Sequence, residues 1–149
     1  MRTWLLLLTV LAAACDPIEP SATGEITLGA GVAERGYSEL EIRMFPDPGP
    51  RYDPTAPVPT LELREARASL ADISFPYDYW IGAGAGTNPD PAWRVVAWLT
   101  TAPRAAAEGP VSGDTWGTRT FTIPECGLGF EGYCGNADGM DFTIDQLLP

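Results

Sequence analysis

The sequence predicts an all-β fold, a single antiparallel β-sandwich, and two observations predict it. The first is alternation. In Ile73 to Gly82 (ISFPYDYWIG), Phe75, Tyr77, Tyr79 and Ile81 fall on one face. In Trp93 to Thr100 (WRVVAWLT), Trp93, Val95, Ala97 and Leu99 share a face while Val96 and Trp98 take the other. Period-two sorting of β-branched and aromatic residues marks strands, and a helix does not produce it. The second is composition: 16 glycines and 15 prolines in 149 residues favour short strands joined by turns. The two aromatic segments are expected to pair, with the core condensing on them. A chain of this length forms one domain with a sizeable core.

The elements follow in order. Met1 to Ala14 carries one charge, Arg2, then an apolar run and small residues, the pattern of a secretory signal too short to span a bilayer. Residues 15–23 read as a polar tether, and the sandwich as residues 24–149. Ile26, Leu28, Ala30 and Val32 alternate. So do Leu40, Ile42 and Met44, with Glu39, Glu41 and Arg43 opposite. With Gly36 at the turn, these segments are expected to form an early strand pair.

Pro46 to Pro59 holds six prolines and cannot be a central strand; it reads as a stiff spacer or surface loop. Thr60 to Asp72 fits helical spacing at Leu63, Ala66 and Leu70, and alternation with one slip. Its all-β surroundings favour strand. Gly82 to Pro91 and Ala102 to Asp114 read as loops. Trp116 to Ile123, with Phe121 and Ile123 inward, and Gly139 to Asp145, with Met140, Phe142 and Ile144 inward, close the sheets.

Leu11-Ala12-Ala13-Ala14-Cys15 resembles the cleavage motif of bacterial lipoproteins, although Ala12 stands where the family usually has Leu, Val or Ile. The resemblance implies lipid on Cys15, and several acyl chains would hold the protein firmly to a membrane. An ordinary cleaved signal is the alternative. Cys126 and Cys134 then remain as an even pair in an oxidising compartment. A disulfide across their glycine-rich loop would contribute about 2–3 kcal/mol. Metal ligation is the competing reading, but the chain has no histidine.

The run FPYDYWI, WRVVAWL, GDTWG and GYCGNADGMDFTID resembles the small prealbumin-like, carboxypeptidase-regulatory-like β-sandwich of bacterial cell-surface lipoproteins. The resemblance spans roughly Ile73 to Asp145. It implies a prealbumin-like or Ig-like sandwich in an accessory role, with no catalytic residue. Relatives often carry an Asp- and Asn-rich turn after the central strand; here that place reads Thr100-Thr101-Ala102-Pro103-Arg104.

The residues restrict function further. Without histidine there is no His-based general base, and without lysine no Schiff-base route. Nine arginines stand against 20 acids, and removal of Arg2 with the signal leaves a net charge of −12. Such a surface repels nucleic acid. No cofactor is expected. Asn136, Asp138 and Asp141 offer oxygens around Gly139 as calcium loops do, though Asn-x-Asp-Gly is also ordinary turn chemistry. Trp80, Trp98 and Trp116 could form an aromatic platform for a ligand, or pack under a loop or within the sandwich.

The expectation is a membrane-anchored lipoprotein of the bacterial cell envelope. It would act as a non-enzymatic binding or structural module, with the membrane and an envelope protein or glycan as partners. A carbohydrate- or peptide-binding protein using an aromatic patch is the alternative, and a carboxylate-dependent hydrolase stands behind it.

Overall fold

The computed structural model describes residues 20–57, 63–82, 91–105, 107–125 and 135–149. Within them the protein is an all-β sandwich. In chain order the strands are β1 (Ser21–Leu28), β2 (Glu39–Pro46), β3 (Arg64–Ser69), β4 (Tyr77–Gly82), β5 (Ala92–Thr100), β6 (Thr115–Thr122), β7 (Asn136–Ala137), β8 (Phe142–Ile144) and β9 (Gln146–Leu147). The one helical element described is a 3-10 turn, Ala33–Arg35.

The first sheet runs β4-β1-β7, with β8 also on β1; the second runs β3-β2-β5-β6-β9. Neighbours pair antiparallel except on one side of β1, where β7 and β8 run parallel to it. Alternation sorts the inner faces as expected. Leu40, Ile42 and Met44 of β2, Trp93, Val95, Ala97 and Leu99 of β5, Tyr79 and Ile81 of β4, and Ile144 of β8 meet in one buried core with Phe121 and Ile123. Burying a large apolar side chain contributes about 1.5–3 kcal/mol, so this layer dominates the cohesion of the two sheets. The ambiguous 60–72 stretch forms a strand over Arg64–Ser69, with Ala66 and Ala68 facing Ile42 and Leu40 of β2, and turns at 70–72.

Four expectations are corrected. The aromatic segments of β4 and β5 do not pair: β4 bonds to β1, β5 bonds to β2 and β6, and the two meet only across the core. Alternation assigns the faces of a strand but says nothing about which backbone lies beside it. The first segment is also shorter than expected, since the strand begins at Tyr77, just after Pro76. The early pair fails for the same reason, as β1 and β2 lie in opposite sheets and residues 29–38 cross between them. Last, the tether loses residues 21–23 to the fold. Ser21, Ala22 and Thr23 pair with Gly82, Ile81 and Trp80, and Ala22 is fully buried.

Candidate functional site

The two outer faces of the sandwich are the candidate surfaces, and they are built differently. On the five-stranded sheet, Glu41, Arg43 and Phe45 of β2 alternate with the core residues and point away from the core. Beside them lie Arg94, Val96 and Trp98 of β5 and Trp116 and Thr118 of β6. Alternation would leave this face to water. Instead Glu41, Arg43, Phe45, Val96 and Trp98 are all buried.

Two connections bury them. Residues 47–57 bring Tyr52 over Phe45 and Trp116, with ring centroids 5.8 and 6.2 Å apart. Arg94 holds that loop from below: its guanidinium lies 4.4 Å from the Tyr52 ring centre and bonds Asp47 at 2.8 Å. Burial pushes the Tyr52 hydroxyl well above its ordinary pKa, with the Arg94 charge opposing the shift. Residues 101–105 and 107–114 cover the remainder, and they pack so closely on the first loop that a Cβ on Gly109 would collide with the Pro54 carbonyl. The expected spacer is thus a covering layer.

Under that layer the charges are paired. Glu41 accepts from Arg43 Nη2 at 2.7 Å and from the Arg104 backbone N–H at 2.9 Å, and it meets Arg67 Nε at 3.1 Å. The Arg43 guanidinium sits 5.1 Å from the Trp98 ring centre. Arg104 closes the network on Asp114 at 3.0 Å. A buried carboxylate is tolerable only with such partners. The network is structural: its oxygens and guanidinium groups face one another, and no described pocket opens onto it. The small pocket above Phe45, of about 180 Å³, is lined by the loop's own Tyr52, Arg51, Asp53 and prolines.

Among the described residues, no connection covers the outer face of the four-stranded sheet. Its centre is β1, where Ser21, Thr23, Glu25 and Thr27 point outward, and the closing segment binds each in turn. Ser21 Oγ donates to Asn136 Oδ1, and Thr23 Oγ1 donates to Asp138 Oδ1 at 2.8 Å. The Glu25 backbone N–H donates to Asp141 Oδ1 at 2.8 Å, and Thr27 and Thr143 share a hydrogen bond of 2.8 Å. Between β7 and β8, Met140 N–H bonds Thr23 O at 2.9 Å. Gly24 permits that approach, because a Cβ there would lie 2.5 Å from the Met140 carbonyl carbon. Tyr79 completes the attachment from the inside, its hydroxyl donating to Met140 O at 2.7 Å.

Asn136, Asp138 and Asp141 therefore do not gather around a point, as a calcium loop requires. They are strung along β1, one to each alternate residue, and each binds a hydrogen-bond donor. Among the described residues no group of three histidine, cysteine, aspartate or glutamate side chains is placed to hold a metal.

The three-tryptophan platform is also corrected. Trp98 and Trp116 are cross-strand neighbours on the covered face, and Trp98 is fully buried. Trp80 stands alone on the other sheet, paired with Thr23 and 59% exposed. Period two assigned Trp80 and Trp98 away from the core correctly. It could not tell which outer face a loop would cover. The buried Glu41–Arg43 pair was missed for the same reason: charged residues opposite a core face read as solvated. Cys15, Cys126 and Cys134 lie outside the described residues, so lipidation and the disulfide are untouched by this geometry. Comparisons with protein-family models, curated proteins and solved structures find no match for this chain.

Proposed function

We propose that this protein is an envelope lipoprotein, held to a membrane through lipid on Cys15. We further propose that its sandwich is a non-enzymatic module taking a neutral glycan on the outer face of the four-stranded sheet. One observation carries the second reading: Trp80 lies 59% exposed on a sheet face that no described connection covers. An exposed indole face is costly to leave in water and suits stacking against the apolar side of a sugar ring. Around it, the hydroxyls of Thr23, Thr27 and Thr143 and the amide of Asn136 supply polar groups of the kind that bind sugar hydroxyls. The acidic surface favours a neutral ligand over an anionic one.

The tether fits the same reading. Five residues lie between Cys15 and Ser21, where β1 begins, so that end of the sheet would lie within about 20 Å of the lipid. The export signal and the Cys15 motif support the address. The likeness to accessory prealbumin-like modules supports a binding role over a catalytic one.

Titration with neutral oligosaccharides of glucose and of N-acetylglucosamine, followed by tryptophan fluorescence, tests the glycan. Saturable change is expected, lost in Trp80→Ala. Binding that survives Trp80→Ala would overturn the site, and an extended peptide that binds where no oligosaccharide does would replace the ligand. For the anchor, Cys15→Ser is expected to move the protein from the membrane fraction to the soluble one, and unchanged partition would remove the lipid from the reading.

A further inference from the structure

The sandwich is open at one end. Leu28 ends β1, Leu70 follows β3, and Leu99 is the last residue but one of β5. With Ala33 and Tyr37 from the β1–β2 crossing, and Ile73 and Phe75 from the β3–β4 connection, they line a cavity of about 220 Å³. The main core continues directly into it. Leu99 is buried at its floor, whereas Leu28, Tyr37, Leu70, Ile73 and Phe75 pack on the core and stay only partly covered. A core that closed on itself would not leave five large apolar side chains half-covered in one place.

We propose that this cavity is a binding site for a small, uncharged apolar group, such as one substituted aromatic ring or a short alkyl chain. Size points there, since an apolar protein cavity of about 150 Å³ stays dry and takes up benzene. Charge points there as well: none of the seven lining residues is ionic, so a charged ligand would lose its hydration without a counter-charge. The one polar side chain in the lining is already engaged, because the Tyr37 hydroxyl bonds Thr115 Oγ1 at 2.6 Å and Gly113 O at 3.0 Å. The side chains therefore recognise by shape and apolar contact, and the polar atoms the lining also exposes are neutral.

The site does not depend on the glycan reading. Trp80 pairs with Thr23 on an outer face, five residues along β1 from Leu28, whereas the cavity lies between the sheets.

The test is NMR of the purified full chain in detergent, with leucine and isoleucine methyls labelled. Toluene and 1-pentanol are the neutral probes, and benzoate and pentanoate their charged counterparts. Saturable shifts are expected at the methyls of Leu28, Leu70, Leu99 and Ile73 with a neutral probe, and binding at least tenfold weaker for its charged counterpart. Ala33→Phe, which puts a ring at the cavity mouth, should abolish the shifts with the other methyl signals in place. Leu70→Ala enlarges the cavity and should move preference from toluene towards naphthalene. The proposal is overturned if neither neutral probe saturates, if charged and neutral probes bind equally, or if neither variant alters binding. Trp80→Ala should leave every one of these shifts unchanged.

Discussion

The two outer faces of this sandwich begin from the same pattern and finish as opposites. On both, polar and aromatic residues alternate with core residues along the strands. On the five-stranded sheet, residues 47–57, 101–105 and 107–114 fold over that pattern and turn it into a second interior, with Trp98, Phe45 and Tyr52 beside a paired Glu41 and Arg43. On the four-stranded sheet nothing described covers it, and the polar groups bind along β1 with Trp80 left in water. The covered face holds a layer of the protein together and offers a ligand little. The bare face attaches the closing segment and leaves Trp80 exposed.

The sharpest way to break this contrast is at Glu41. Glu41→Ala removes the nearest carboxylate from buried Arg43 and the acceptor from Arg104 N–H. The expected loss is about 3–5 kcal/mol, measured by urea unfolding. A double variant, Glu41→Leu with Arg43→Met, should recover most of it, because apolar residues of similar volume carry no desolvation cost. If Glu41→Ala costs under about 1 kcal/mol, the covering layer does not exclude water and the contrast fails.

Next comes Gly24, on the inner side of β1 in the uncovered sheet. Gly24→Ala drives a methyl group into the Met140 backbone and should separate the closing segment from β1, at about 1–3 kcal/mol. Hydrogen exchange should show Met140 and residues 142–144 losing protection first. Uniform loss across both sheets would contradict a local attachment.

Asp138→Ala and Asp141→Ala each remove one exposed side-chain bond to β1, with an expected loss of about 0.5–1.5 kcal/mol. Their melting temperatures should respond to calcium no more than that of the unaltered protein. A calcium-dependent rise in the unaltered protein that both variants lose would show the oxygens gathering round an ion after all.

Trp80→Ala is the smallest effect. An exposed side chain away from the core should change stability by less than about 0.5 kcal/mol. Calorimetry showing a loss near that of a core residue would mean the indole is covered in solution, and the bare face would have to be given up.

Much of the fold was legible in the residues. Alternation identified the inner faces of β2, β5 and β6 and placed Tyr79, Ile81 and Ile144 in the core, while the 60–72 stretch stayed ambiguous by spacing and only its all-β surroundings favoured strand. It also turned Trp80 and Trp98 away from that core. These are local properties: a pleated strand has two faces, and side-chain hydrophobicity records which one is dry. What only the tertiary structure decided was non-local. Strand pairing is made by backbone groups common to every residue, so nothing in β4 announced that it would bond to β1 and not to β5. Nor could alternation show which outer face is roofed. That depends on Tyr52 reaching Arg94 and on Gly109 meeting Pro54, contacts between distant residues whose value exists only once the chain has folded.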